Sequence, residues 1–259
     1  MYTKSELKAQ LSAMGFKGTE TVIIHSSLKS IGEVENRAEG IIDALQEFFA
    51  DGLLVFPSMT YSLVSDKQPV FSVRDTPCCV SALPEIFRKR PGVIRSLHPT
   101  HAVAAIGKDA AEFVEGHEKF DSPAHPDSPW GKLYKRNAKI MFVGTKTIHC
   151  NTFLHGVEEW LPVPGMLTEE PQQLVVYDYE GKRIEVPSRR HVGSHSKWYH
   201  LMYPTFCEAG ALTEGNFGDA QVFVVDAHMA GDIVYDLLKK EPLFFTDEYQ
   251  ASKGVTDWH

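Results

Sequence analysis

Ile140-Met141-Phe142-Val143-Gly144 and, after a short gap, Asn151-Thr152-Phe153-Leu154-His155-Gly156-Val157-Glu158-Glu159 decide the fold class of this chain. The first run is short, apolar and closed by glycine, which reads as a buried strand. The second opens on Asn151, a residue suited to a helix N-cap, and continues with apolar residues at helical spacing. A buried strand leading into such a helix is the unit of layered α/β domains. On that helix His155 lies one turn after Asn151, and Glu158 or Glu159 one turn after His155. A carboxylate one turn from an imidazole fixes its tautomer and raises its basicity, the minimum equipment for general-base catalysis. A surface histidine beside two solvated glutamates is the plainer alternative.

The same alternation extends in both directions. Thr21-Val22-Ile23-Ile24, Leu53-Leu54-Val55-Phe56, Ala102-Val103-Ala104-Ala105-Ile106 and Val222-Phe223-Val224-Val225 read as further buried strands. Helical spacing marks Ile41, Ile42, Leu45, Phe48 and Phe49, then Ala82, Leu83, Ile86 and Phe87, then Met229, Ile233, Val234, Leu237 and Leu238. Thr3 and Glu6 have the spacing of a capping box, with Leu7, Leu11 and Met14 on one helix face. Leu174 to Tyr179 and Lys182 to Val186, joined by Glu180-Gly181, read as an antiparallel hairpin, hence a mixed sheet or a small insertion. The irregular stretch from Met59 to Pro77 is expected to cross the surface near the site. With no repeat, linker or low-complexity tract, residues 1–259 are expected to form a single domain.

The chain has 259 residues, 43% hydrophobic and 23% charged, the proportions of a soluble globular protein. No apolar run approaches the ~20 residues that span a membrane, and the N-terminus has no signal-peptide character. The cysteines, Cys78, Cys79, Cys150 and Cys207, show no C-x-x-C spacing, which argues against a disulfide framework or a zinc ribbon and for a reducing cytoplasm. A net charge of −8 argues against non-specific nucleic-acid binding and is compatible with a cationic small-molecule substrate.

Other segments hold candidate chemistry. His25-Ser26-Ser27-Leu28 follows the first strand, where open α/β sheets collect ligands, but lacks the order of a P-loop. Arg95-Ser96-Leu97-His98-Pro99-Thr100-His101 precedes another strand; Arg95 is suited to a phosphate or carboxylate, or to a structural ion pair. Ser128-Pro129 fits N-cap and N1 of a helix whose start can also bind an anion. His125 lies just before it, and the segment Arg189 to His200 is rich in histidine and aromatic groups, including His191, His195, Trp198 and Tyr199.

In their order and spacing, these segments resemble the aminoglycoside 3-N-acetyltransferase (antibiotic N-acetyltransferase) family. The resemblance rests on His25-Ser26-Ser27-Leu28 with Ile31-Gly32, Phe56-Pro57-Ser58-Met59-Thr60, Arg95-Ser96-Leu97-His98-Pro99, Ala104-Ala105-Ile106-Gly107, Ser128-Pro129 and Asn151 to Glu158. It implies a three-layer α/β/α domain around a mixed sheet. It implies transfer of acetyl from acetyl-CoA to an amine, typically the 3-amino group of a 2-deoxystreptamine antibiotic. It puts the catalytic histidine on His155 and its acidic helper on Glu158. His25, Ser26, Ser27, Leu28, Thr60, Arg95, Ser96, His98 and Ser128 then look like cofactor and active-site walls, with no metal expected. The chain departs from the family at Ala102, where serine is common, and resembles it least in the C-terminal third, where acceptor contacts would vary. Direct transfer is expected, with backbone N–H groups or the hydroxyls of Ser27 or Thr60 at the oxyanion. The rivals are the same chemistry on a non-antibiotic amine, a non-catalytic binder of a cation, and a metal-dependent hydrolase. The last is opposed by the absence of H-E-x-x-H. Oligomeric state is left open, with a homo-oligomer allowed.

Overall fold

A computed structural model describes residues 1–255. Along the chain run α1 (Lys4–Ala13), β1 (Thr21–Ser26), α2 (Arg37–Phe48), β2 (Leu53–Pro57), β3 (Val70–Ser72), α3 (Ala82–Phe87), β4 (Ile94–Arg95) and β5 (Val103–Gly107). They are followed by α4 (Ala110–Val114), α5 (Pro129–Lys135), β6 (Lys139–Val143), α6 (Thr152–Trp160), β7 (Gln172–Tyr177) and β8 (Arg183–Ser188). The remainder is α7 (Tyr203–Glu208), β9 (Leu212–Phe217), β10 (Ala220–Asp226), α8 (Ala227–Lys240) and α9 (Asp247–Ser252). The expected strands and helices are all present, shifted by a residue or two at their ends. The capping box forms: Thr3 accepts from the Glu6 N–H, and Glu6 accepts from the Thr3 N–H.

Seven strands form a mixed sheet in the order β4-β5-β2-β1-β6-β10-β9. Only its centre is parallel, β1 pairing with β2 and β6 in that sense; the β2–β5, β6–β10 and outer pairs are antiparallel. Because side chains alternate along a strand, the central strands feed two cores. Val22, Ile24, Leu54, Phe56, Met141 and Val143 pack with Leu7 and Leu11 of α1, Ile41 and Leu45 of α2 and Leu83 of α3. Ile23, Val55, Ile140 and Phe142 face the other way, onto Trp130 and Leu133 of α5, Phe153, Leu154 and Val157 of α6, and Val234 and Leu238 of α8. Apolar burial on both faces makes three layers, each fully buried side chain contributing ~1.5–3 kcal/mol. At the end of β6, Gly144 has φ +67°, and a Cβ there would come within 2.3 Å of Ser30 Cβ, so glycine lets the strand turn against the 3-10 turn Leu28–Ile31.

The hairpin β7–β8 does not extend the main sheet. It pairs with β3, a three-residue strand inside the segment expected to be irregular, to make a second sheet in the order β3-β7-β8. This sheet has its own apolar cluster, in which Ala102 packs with Val64, Phe71, Leu174, Val176 and Val186. No helix among the described residues is long and apolar enough to cross a membrane.

The helix α6 takes its register from Phe153, Leu154 and Val157, all without exposed surface. Leu154→Ala is expected to cost ~2–5 kcal/mol, read as a lower urea midpoint at unchanged slope. An unmoved midpoint would show that α6 is not held by this core.

Candidate active site

A cleft of about 460 Å³ opens where β1 and β2 end and α6 begins; His25, Ser26, Pro57 and Thr152 are among its walls. Strand ends of this kind collect ligands in α/β sheets. His25 and Ser26 each leave a buried polar atom, Nε2 and Oγ, without a partner among the described residues. His25 is in register with Phe142 on β6 and stacks on its ring at 5.0 Å. Burial lowers its imidazolium pKa to about 4, so the ring is neutral at pH 7.

His155 also lines the cleft, its side chain keeping 17% of its surface exposed. One turn later Glu158 has none. A direct hydrogen bond between them is the simplest expectation from their spacing, but His155 Nδ1 and Glu158 Oε2 are 3.6 Å apart. The hydroxyl of Tyr199 stands between, hydrogen-bonded to Glu158 Oε2 and 2.6 Å from His155 Nδ1. His195 Nδ1 reaches the other carboxylate oxygen at 2.6 Å. Both partners come from the 3-10 turn His195–Met202.

Proton positions follow from the donor inventory. An ionised carboxylate only accepts, so Tyr199 and His195 donate to Glu158. Tyr199 has one proton to give, so its oxygen accepts from Nδ1–H of His155. That leaves Nε2 of His155 carrying a lone pair, with no hydrogen-bond partner among the described residues. The charges agree with this assignment. Burial pushes the Glu158 carboxyl up, but the hydrogen bond from His195 and the pull of the nearby His155 and His195 rings outweigh it and hold it at about 2. Burial, then repulsion from His191, lower His155 to about 4 against the opposing pull of Glu158. Burial and Glu158 hold Tyr199 well above 10, so it remains a proton donor.

The second glutamate has a separate partner. Glu159 binds His191 Nε2 at 2.5 Å and accepts the Ala124 N–H at 3.1 Å. The His191 ring stacks on that of His155 at 4.5 Å, and His191 lines the cleft.

A family model described as aminoglycoside 3-N-acetyltransferase matches residues 23–239. The chain belongs to this family. Among curated relatives it is similar to the SPbeta prophage-derived aminoglycoside N(3')-acetyltransferase-like protein YokD of Bacillus subtilis (strain 168). The two are 28% identical over 203 residues, 70% of this chain and 72% of that one. The aminoglycoside N(3)-acetyltransferase VII of Streptomyces paromomycinus is 26% identical over 200 residues, covering 70% and 68%. The fold matches that of the aminoglycoside acetyltransferase AAC(3)-IVa apoenzyme, with a TM-score of 0.80 at 24% identity over 98% of this chain and 97% of that one. It also matches AAC-IIIb in binary complex with CoASH, with a TM-score of 0.80 at 21% identity over 93% and 97%. Membership makes the protein an acyltransferase.

Within this acyltransferase the remaining expected site residues lie apart from the cleft lining. Ser27 accepts a hydrogen bond from Ser30 at 3.0 Å, and Leu28 packs toward the α1–α3 face. Thr60 is buried, its hydroxyl donating to the Pro99 carbonyl at 2.5 Å. Arg95 is 2% exposed, over the Phe71 ring, and donates to the carbonyls of Thr76 (2.6 Å) and Ser58 (2.8 Å). Of the two readings of Arg95, anion binding or a structural ion pair, the second gives way to these neutral acceptors among the described residues, and burial lowers its pKa to about 10. Ser96 bonds His117 Nδ1 at 2.9 Å, and His98 Nδ1 accepts the His101 N–H at 3.0 Å. Ser128 starts α5 but its buried Oγ caps nothing, and buried Asn151 starts α6 in the same way. His101 and His191 join the cleft wall, His195 stands behind it on Glu158, and His125 stacks on Phe120 at 4.1 Å. Among the described residues no cluster of His, Cys, Asp and Glu is placed to hold a metal ion.

Burial holds His25, His98, His101, His117 and His155 below 6.5 in the folded state. Their contribution is fully present above 6.5 and lost as pH falls, because the unfolded chain then binds protons that the folded chain excludes. Each such ring steepens the loss by ~1.4 kcal/mol per pH unit. The urea midpoint is expected to fall sharply from pH 6.5 toward 4; a flat midpoint there would mean that these rings are charged in the folded protein.

Proposed function

We propose that the protein transfers acetyl from acetyl-CoA directly to an amino group of a small amine, with His155 Nε2 as general base. The observation that carries this reading is the series Glu158–Tyr199–His155, which leaves an unpaired imidazole lone pair at a cleft wall. Acetyl-CoA supplies a thioester-activated acyl group and a thiol leaving group. The unpartnered Nε2 of His25 and Oγ of Ser26 suit the polar groups of such a co-substrate, and a relative of the same fold is described with CoASH. The other expected wall residues, Ser27, Leu28, Thr60, Arg95, Ser96, His98 and Ser128, act by holding the wall in shape. The 3-amino group of a 2-deoxystreptamine aminoglycoside is the reference acceptor, given the family.

An amine is nucleophilic only as the free base. As the C–N bond forms and the thioester C–S bond breaks, His155, neutral at pH 7, receives the amine proton on Nε2 while Nδ1–H stays on the Tyr199 oxygen, and the Nε2 proton then passes to the departing CoA thiolate. The positive charge formed on the ring is matched by Glu158 through that hydroxyl. Cys150 lines the cleft at an exposed position, and partial desolvation at the wall raises its thiol above its ordinary value; no acyl-enzyme is invoked.

Thiol release from acetyl-CoA in the presence of an amine tests the reading. His155→Ala should lower kcat by ~10²–10⁴-fold with little change in the KM for acetyl-CoA; near-wild-type kcat would remove His155 from the role. The acid limb due to His155 should lie near pH 4 rather than 6.5, because the base form is depleted only below its folded pKa. A limb at 6.5 that moves in Glu158→Gln would contradict this. Tyr199→Phe keeps the ring and removes the link. It should reduce kcat about tenfold or more, on the scale of a hydrogen bond to a charged group, ~1.5–3 kcal/mol. An unchanged kcat would show that Tyr199 only packs.

A further inference from the structure

The sixteen residues that wall the cleft include no aspartate or glutamate, and Arg190 is their one Lys or Arg. The nearby carboxylates are already engaged, Glu158 with Tyr199 and His195, and Glu159 with His191 and the Ala124 N–H. Arg190, by contrast, has only neutral partners among the described residues. Its Nη1 donates to the Val64 carbonyl at 3.1 Å and Gln172 Oε1 at 3.2 Å, and its Nη2 to the Tyr61 carbonyl. Asp66 lies one bond further out, accepting from Gln172 Nε2 at 2.7 Å. Of the five guanidinium N–H groups, the Nε–H and one Nη2–H remain for a ligand.

This wall is ill matched to a polycation. Several ammonium groups would lose water beside a guanidinium with no carboxylate facing them, a desolvation cost without a Coulombic return. The chain's net charge of −8 attracts cations from a distance but puts no counter-charge in the cleft. The complement of a guanidinium fork is a carboxylate or phosphate. Arg190 adjoins His191 in sequence, and the His191 ring lies on that of His155, so guanidinium and base share one wall. We propose that the acceptor is a monoamine that also carries an anionic group, which Arg190 binds while the amine meets His155. This inference rests on the acyl-transfer reading above and departs from its reference acceptor, an aminoglycoside polycation, in favour of an anionic monoamine.

The test is acetyl-CoA-dependent thiol release with kanamycin, glucosamine, glucosamine 6-phosphate and glucosaminate. One or both anionic amines should exceed glucosamine in kcat/KM by about tenfold or more, as charge-assisted bidentate binding provides, with kanamycin below them. The phosphate and carboxylate arms tell which anion is used. Arg190→Gln should erase the margin through the acceptor KM, and Arg190→Lys should keep part of it. A preference for kanamycin would overturn the inference and leave acyl transfer intact. So would an Arg190→Gln effect that falls on the KM of acetyl-CoA, whose phosphates are the competing anions. Absence of thiol release with every amine would strike the acyl-transfer reading instead. Calorimetry on the CoA-bound enzyme then decides the acceptor question: tighter binding of glucosamine 6-phosphate or glucosaminate than of glucosamine, lost in Arg190→Gln, supports it, and equal binding of all three overturns it.

Discussion

An ionised carboxylate without exposed surface persists only where donors fill its lone pairs. Glu158 finds them 37 and 41 residues away, in His195 and Tyr199. That requirement ties the turn His195–Met202 to α6 and so closes one side of the cleft. It also decides the chemistry, since the Tyr199 proton held by Glu158 forces His155 into the Nδ1–H tautomer. Removing one donor from such a group typically costs ~3–5 kcal/mol, because the remaining charge stays buried and unpaired. The site and the packing beneath it are thus not separable.

The sheet determines which groups meet. On β1 the face that carries Ile23 also carries His25, and α6 covers that face through Phe153, Leu154 and Val157. A one-residue slip of β1 would send His25 to the α2 side and leave His155 without its opposite wall. The central parallel pairs β2–β1 and β1–β6 bring the ends of β1 and β2 beside the start of α6, which places Ser26, Pro57 and Thr152 around one opening.

Strands buried on both faces announce themselves in sequence, and so the core strands, the helices between them and the hairpin were legible with small shifts at their ends. His155 and Glu158 were legible because one helical turn relates them. Tyr199 was not, since no local pattern marks a phenol that reaches back 44 residues to an imidazole; the histidine- and aromatic-rich run around it was the only signal. Arg95 shows the opposite difficulty. Its charge suggests an anion or an acid, but loops around the small sheet direct carbonyls at it, and three-residue β3, which helps build that sheet, is too short to show a period. Asn151 and Ser128 stand at the helix starts where cap residues are favoured, yet their side chains bond to nothing, so position was readable and contact was not.

Five of the twelve imidazoles form a series that leads to the cleft. The His117 ring lies 4.5 Å from that of His98, His98 lies 6.0 Å from His101, His101 4.9 Å from His191, and His191 4.5 Å from His155. Cations packed this closely would repel one another, and burial alone already keeps His98, His101 and His117 neutral. Neutral rings can be stacked toward a cleft at little electrostatic cost while still offering lone pairs and N–H groups. Lysines in their place would hold a fixed charge against His155 and work against its taking a proton. With His98, His101 and His117 neutral, a charge on His155 would meet the field of Glu158 through Tyr199. The histidine-rich wall and the buried carboxylate of Glu158 are therefore two halves of the same electrostatic arrangement.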